Sequence, residues 1–126
     1  MSERAATEHI QPLEIHTKVW IERAGEVVIS DFLAELLEAV SEAGSVSGAA
    51  EALDLPYRTA WKKLREMESA AGFDLLVTSS GGREGGHTTL SAEAEQLIGA
   101  LHRVSDPTTT LAHERFQAER DQLPEV

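Results

Sequence analysis

The stretch that decides the fold is residues 44–72, which read GSVSGAAEALDLPYRTAWKKLREMESAAG. It begins and ends with glycine, a residue that readily adopts the left-handed conformation in which many helices end. Ser45 or Ser47 is a suitable cap for a short alanine-rich helix that runs to about Leu53. Residues 54–56, Asp-Leu-Pro, then predict a tight turn.

A longer helix follows this turn. Pro56 fits its first turn, where the missing backbone N–H has no partner to lose. The apolar residues that follow have the spacing of one buried helical face: Ala60, Leu64, Met67 and Ala71. A short helix, a turn and a longer helix are typical of a helix-turn-helix unit, in which the last helix enters the major groove of DNA.

The residues before this stretch predict a further helix and a β-hairpin. Ser30 or Asp31 can cap a helix that ends at Gly44. Its apolar residues recur at helical spacing, and three glutamates take the opposite face: Phe32, Leu33, Leu36, Leu37 and Val40 against Glu35, Glu38 and Glu42. Upstream, the β-prone runs 18–22 and 26–30 flank Arg-Ala-Gly at 23–25, which predicts a hairpin.

The residues after it predict a second hairpin and two further helices. Strands at 75–78 and 87–90 flank a loop with four glycines at 79–86, which is the arrangement expected of a wing. Ser91 begins a fourth helix that Asp106-Pro107 should break, and residues 108–122 should form another. The predicted fold is mostly α with small β, a winged helix-turn-helix with an N-terminal β-hairpin and a C-terminal dimerisation helix.

We predict three parts of the chain: a flexible N-terminal arm at 1–16, the winged helix-turn-helix DNA-binding domain at 17–106, and a C-terminal dimerisation helix at 107–126. The apolar residues expected to meet a second copy are Leu97, Ile98, Leu101, Val104, Leu111 and Phe116. A monomer, in which the tail folds back on its own hairpin, is the alternative. A single recognition helix reads too few base pairs to be selective, which favours the homodimer.

Composition limits the remaining classes of function. The 126 residues are 41% hydrophobic, which suffices for one core, and the absence of cysteine excludes disulfides and thiolate sites. No apolar run resembles a signal peptide or a membrane span, so we expect a soluble, cytoplasmic protein. The net charge of -11 opposes DNA binding, but it is unevenly spread. Residues 55–90 carry five basic and four acidic groups, or +1, which leaves -12 on the rest.

The basic groups of the longer helix are arranged for DNA contact. Arg58, Lys62 and Arg65 are spaced i, i+4 and i+7, so they share a face. Arg58 and Thr59 in the first turn are expected to reach base edges, and the others to reach phosphates. The predicted DNA-binding residues are Ser45, Ser47, Tyr57, Arg58, Thr59, Lys62, Lys63, Arg65, Arg83 and His87. Packing remains an alternative role for Tyr57 and the favoured one for Trp61, and His87 is equally an exposed polar residue.

These residues also resemble a known family, the DNA-binding domain of ModE-type molybdate-responsive regulators, relatives of the LysR-type winged helices. The similarity spans residues 18 to about 104. It rests on Gly-Ser-Val-Ser-Gly-Ala-Ala at 44–50, on Leu55 with Tyr-Arg and Ala-Trp at 57–61, on Leu-Val at 76–77, and on the paired glycines before Leu-Ser at 90–91. The resemblance implies a transcriptional regulator that binds double-stranded DNA.

The chain departs from the family pattern at three places. Pro56 stands where the family has a serine cap, and no arginine occurs among residues 78–80, just before a wing that is one residue shorter. The chain also ends where the family's oxyanion-binding domains would begin, so the expected regulator lacks such a domain. Molybdate sensing is therefore not carried over.

Other functions are kept as alternatives. An enzyme is not expected, because the five histidines lack metal-ligand spacing and no Ser/His/acid grouping is visible. We expect no cofactor, no metal and no small-molecule ligand. The rivals are a winged-helix module that binds another protein, which would need an exposed apolar groove, and the DNA-binding subunit of a two-chain sensor.

Overall fold

The computed structural model describes residues 11–79 and 86–124. The first elements are strands β1 (Ile21–Arg23) and β2 (Glu26–Ile29), which pair antiparallel. Ala24 and Gly25 connect them with φ of 52° and 86°, the two positive angles that a type I′ hairpin turn requires. The predicted hairpin is confirmed. Its first strand begins three residues later than predicted, beside a bulge at Ile21/Glu22 that interrupts the pairing.

Helix α1 (Asp31–Ala43) has the predicted boundaries, and a capping residue at each end explains them. The Ser30 hydroxyl accepts a hydrogen bond from the Leu33 N–H at 3.4 Å. At the other end, Gly44 adopts φ 76° and donates its N–H to the Val40 carbonyl at 2.8 Å. The helix buries one face toward the core: Ala34, Leu36, Leu37 and Val40.

Helices α2 (Val46–Ala52) and α3 (Tyr57–Ala71) follow, as predicted. Ser45 caps α2, and Asp54 turns the chain with φ 56°. Pro56 lies at the N-cap of α3, one residue before the first turn in which it was predicted, and no side-chain capping bond is made there. Gly72 ends α3 in the left-handed conformation, and the four predicted inward residues of α3 are all buried.

Strands β3 (Leu76–Ser79) and β4 (His87–Leu90) form the antiparallel pair predicted as the wing. Leu76 pairs with Leu90 and Ser79 with His87. The first strand begins one residue later than predicted, and Leu75, just before it, is fully buried in the core. The glycine-rich residues 80–85, with the predicted contact Arg83, lie outside the described ranges.

Helix α4 (Ala92–Arg120) is continuous, so the predicted break at Asp106-Pro107 is wrong. The Ser91 hydroxyl caps its start by accepting the Ala94 N–H at 3.0 Å. Proline removes one N–H donor and crowds the preceding turn, which costs about 3 kcal/mol in a helix interior. The predicted break assumed that this local cost is enough to end the helix. Here the helix continues on both sides of Pro107, and Asp106, Pro107 and Thr108 are all exposed.

The chain divides into two compact units, at 19–105 and at the two ends. The first contains one core, to which Ile98 and Leu101 belong, so assigning these two residues to a dimer surface was wrong. In the second unit, residues 11–18 contact the C-terminal part of α4. The Thr17 and Thr109 hydroxyls lie 2.6 Å apart, and Arg120 donates to the Leu13 carbonyl at 3.2 Å.

Candidate nucleic-acid interface

The outward face of α3 carries the basic residues that the sequence singled out. Arg58, Lys62 and Arg65 are exposed, opposite the buried face that holds α3 on the core. The Lys62 ammonium lies 4.0 Å from a carboxylate oxygen of Glu66, one turn later. Both side chains are well exposed, and such surface pairs contribute little, so Lys62 remains available to a phosphate.

Two cations on α3 lie over aromatic rings. The Arg65 guanidinium is 4.9 Å from the centroid of Trp61, and the Lys63 ammonium is 5.6 Å from that of Phe32 on α1. Trp61 is half-buried and packs against the core, the role predicted for it. These contacts hold the two side chains close to the protein surface while their charges stay accessible.

The first turn of α3 presents Tyr57 and Arg58 to solvent, with Thr59 half-buried beside them. Tyr57 is the first residue of the helix and its side chain is 55% exposed. Its ring meets Trp61 edge-on, with centroids 6.4 Å apart and planes at 83°. Recognition helices usually contact base edges through this first turn.

The start of α2 supplies the two serines. The Ser45 oxygen accepts the Gly48 N–H at 2.9 Å, which leaves the hydroxyl proton free to be donated, and Ser47 is exposed. A Cβ on Gly48 would lie 2.7 Å from that of Ala43, too close for any real contact. Glycine at this position therefore allows α1 and α2 to approach each other closely.

The wing strand β4 is fastened to the junction between α1 and α2. The Thr88 N–H donates to the Gly44 carbonyl at 2.9 Å. The His87 ring lies over Gly44, where a Cβ would be 2.6 Å from its Cε1 atom. His87 itself is exposed, at the edge where the wing leaves the domain. Sequence reasoning missed this contact, because nothing local links two residues so far apart.

Two charged side chains fix the C-terminal end of α3, and neither was singled out from the sequence. Arg23, on β1, donates to the carbonyls of Ala70 and Ala71 at 3.0 and 2.8 Å. The Glu68 carboxylate accepts the N–H groups of Leu75 and Leu76 at 2.9 and 3.3 Å, just before and at the start of β3. A cation at a helix C-terminus also interacts favourably with the helix dipole. Both the N-terminal hairpin and the wing are thus hydrogen-bonded to α3, the recognition helix.

Residues 11–79 and 86–124 contain no group of three or more histidine or acidic side chains placed to hold a metal ion. Across the same described ranges, no helix is long and apolar enough to cross a membrane.

Three helices, a wing hairpin that follows the third, and a basic face on the third helix define a winged helix-turn-helix DNA-binding domain. The sequence model of the lysR family of bacterial regulatory helix-turn-helix proteins matches residues 33–95, half of the chain. The chain belongs to this family, and its DNA-binding domain is of the ModE-like, LysR type that the sequence predicted.

Three bacterial proteins are similar to this chain over 63 to 78 residues. Identity is 36% over 75 residues with the molybdenum transport protein ModE of Azotobacter vinelandii, which is 60% of this chain and 27% of that protein. It is 35% over 63 residues with the transcriptional regulator ModE of Haemophilus influenzae, covering 50% and 25%. The molybdenum-pterin-binding protein MopA of Rhodobacter capsulatus is 31% identical over 78 residues, covering 62% and 29%. The chain therefore spans less than a third of each of these relatives.

Proposed function

We propose that this protein is a sequence-specific regulator of transcription that binds double-stranded DNA as a homodimer in the cytoplasm. Its activity is binding, without a catalytic step. The family match covers the helix-turn-helix and the wing, so the proposal concerns DNA and does not extend to molybdenum.

The observation that carries the proposal is the charge of one exposed helix face on an otherwise acidic protein. Arg58, Lys62 and Arg65 project from α3 opposite its buried residues, whereas the rest of the chain repels a polyanion. A cation row on one face directs the molecule to approach DNA through that face alone. Arg58 in the first turn is assigned to a guanine edge, and Lys62, Lys63 and Arg65 to phosphates.

The serines and the wing complete the proposed contact surface. Ser45 and Ser47 supply hydroxyl donors at the start of α2, and His87 supplies a ring N–H beside Gly44. Arg83 remains a predicted phosphate contact of the wing. Because Gly44 joins α1, α2 and β4, Ser45, Ser47 and His87 are held by the same short segment of backbone.

The homodimer is proposed on the apolar residues of α4 that the core does not absorb. Leu111 is 50% exposed and Val104 55%, a large apolar exposure for one helix. Two copies related by a twofold axis would read two half-sites, which gives the specificity that one helix lacks. Leu111→Glu should convert the dimer to a monomer by light scattering, whereas Thr110→Glu, on another face of the same turn, should not. An unchanged dimer in the Leu111 variant would remove Leu111 from the interface.

The decisive test of DNA binding is selection of bound sequences from random duplexes, followed by titration of the enriched site. We expect a palindromic consensus, with affinity that falls steeply as salt rises. Charge reversal on α3, Arg58→Glu with Lys62→Glu, should abolish binding, while the same reversal of sign on α1, Glu35→Lys, should not weaken it. If no sequence is enriched, the protein-interaction alternative replaces this proposal.

A further inference from the structure

An exposed aromatic ring lies at the N-terminal end of α3. Tyr57 precedes Arg58 at the start of α3, and more than half of its side chain is open to solvent. Tyrosine rings usually contribute to stability by burial, which this ring forgoes. Its position is the one from which recognition helices touch base edges.

The ring is nevertheless held in place. Trp61, one turn later, is half-buried against the core, and its ring and that of Tyr57 meet edge-to-face with centroids 6.4 Å apart. Arg65, a further turn along, covers Trp61 at 4.9 Å. The three side chains follow i, i+4, i+8 spacing, so each contacts the next along one helix face. An aromatic group that is already ordered loses little conformational entropy when it meets a ligand.

We propose that Tyr57 is a specificity-determining residue whose ring packs on the 5-methyl group of a thymine in the major groove. The inference rests on the proposed function and names part of the sequence that the same site reads. The thymine methyl is the apolar group that base edges offer in the major groove, and it is the natural complement of an exposed apolar ring. Arg58, the next residue, provides the polar contact to a neighbouring base pair.

The test replaces thymine by deoxyuridine, one position at a time, in the duplex enriched by selection. This substitution removes the methyl group and keeps base pairing and every hydrogen-bonding group. Binding of the wild-type protein should weaken about fourfold at one position of the half-site, the effect of withdrawing one buried carbon from an apolar contact. At the remaining thymines it should stay unchanged.

Two variants separate the ring from the hydroxyl. Tyr57→Phe keeps the ring and should retain the fourfold sensitivity to deoxyuridine at that position. Tyr57→Ala should bind the thymine and deoxyuridine duplexes equally. Because Tyr57 is largely exposed, both variants should melt within a few degrees of the wild type, which a thermal scan verifies.

The outcomes distinguish this inference from the function on which it rests. Selective DNA binding with no sensitivity to deoxyuridine, or a sensitivity that persists in Tyr57→Ala, overturns the thymine contact and leaves the DNA-binding function standing. Sensitivity lost in both variants shows that the hydroxyl, and not the ring, makes the contact, which also overturns it. Failure to enrich any sequence overturns the proposed function, and the inference with it.

Discussion

Helices α1 and α3 have similar buried faces and oppositely charged exposed faces. Each buries four apolar side chains at helical spacing and ends at a left-handed glycine. The outward face of α1 carries Glu35, Glu38 and Glu42, and that of α3 carries Arg58, Lys62 and Arg65. The buried faces place both helices in one core, and the exposed faces decide which of them approaches DNA. Stability and binding should therefore respond to different substitutions on the same helix.

The largest effect on stability is expected for substitutions in the hydrophobic core. Leu37→Ala on α1 and Leu64→Ala on α3 each remove a fully buried side chain, so each should lower the free energy of unfolding by about 2–5 kcal/mol. Urea titration measures both. Equal losses would support the equivalence of the two buried faces. A loss below about 1 kcal/mol in one variant would show that the core depends on a single helix.

The next effect separates the outward faces. Arg58→Ala should cost about 1–3 kcal/mol of binding free energy and relax preference at one base pair, with unfolding unchanged. Glu35→Ala, the matched exposed position on α1, should leave affinity unchanged or slightly higher. Competition titrations against single-base variants of the selected site measure both. A variant at Arg58 that keeps its sequence preference would remove this residue from base reading.

Substitution of a helix cap is expected to lower the free energy of unfolding by about 1 kcal/mol. Ser30→Ala and Ser45→Ala each delete an N-cap hydrogen bond, at the starts of α1 and α2, and should destabilise the fold by about that amount. Ser45→Ala should in addition weaken DNA binding, because its free hydroxyl proton is assigned to a phosphate. Equal DNA affinities of the two variants, measured where both are folded, would contradict that assignment.

The smallest effect concerns one phosphate contact. Lys62→Ala should lower the slope of log affinity against log salt by about one unit, equally for all duplexes, and leave sequence preference intact. Glu66→Ala deletes the same exposed ion pair from the other side and serves as the control. A slope reduced equally in both variants would mean that the pair, and not a lysine–phosphate contact, is responsible.

Local signals in the sequence predicted most of the fold. Ser30 and Gly44 predicted the two ends of α1, and Gly72 predicted the C-terminal end of α3. Gly25 predicted the N-terminal turn, which forms with positive φ angles at Ala24 and Gly25. The errors lie in α4, where local preference and apolar spacing did not decide the structure. Pro107 predicted a break in a helix that continues, and an apolar stripe on α4 was assigned to a partner although Ile98 and Leu101 fill the core.

The candidate interface was predictable in its composition and less so in its geometry. The basic spacing on α3 identified Arg58, Lys62 and Arg65 as exposed neighbours, which the structure places as expected. The bonds from Arg23 and Glu68 that fix α3 join residues distant in sequence or in different elements, and no spacing rule points to them.

The structural role of Gly44 predicts the phenotype of mutations at this position. Gly44 ends α1 at φ 76°, accepts the wing's Thr88 N–H, and leaves no room for a Cβ beneath the His87 ring. Any side chain at position 44 would strain the backbone, and it would also push the wing away from its hydrogen bond to Gly44. A missense allele at codon 44 should therefore be pleiotropic, at once thermolabile and deficient in operator occupancy. A second-site change at His87 would relieve the steric part of the defect, while the backbone strain persists, so suppression should be partial.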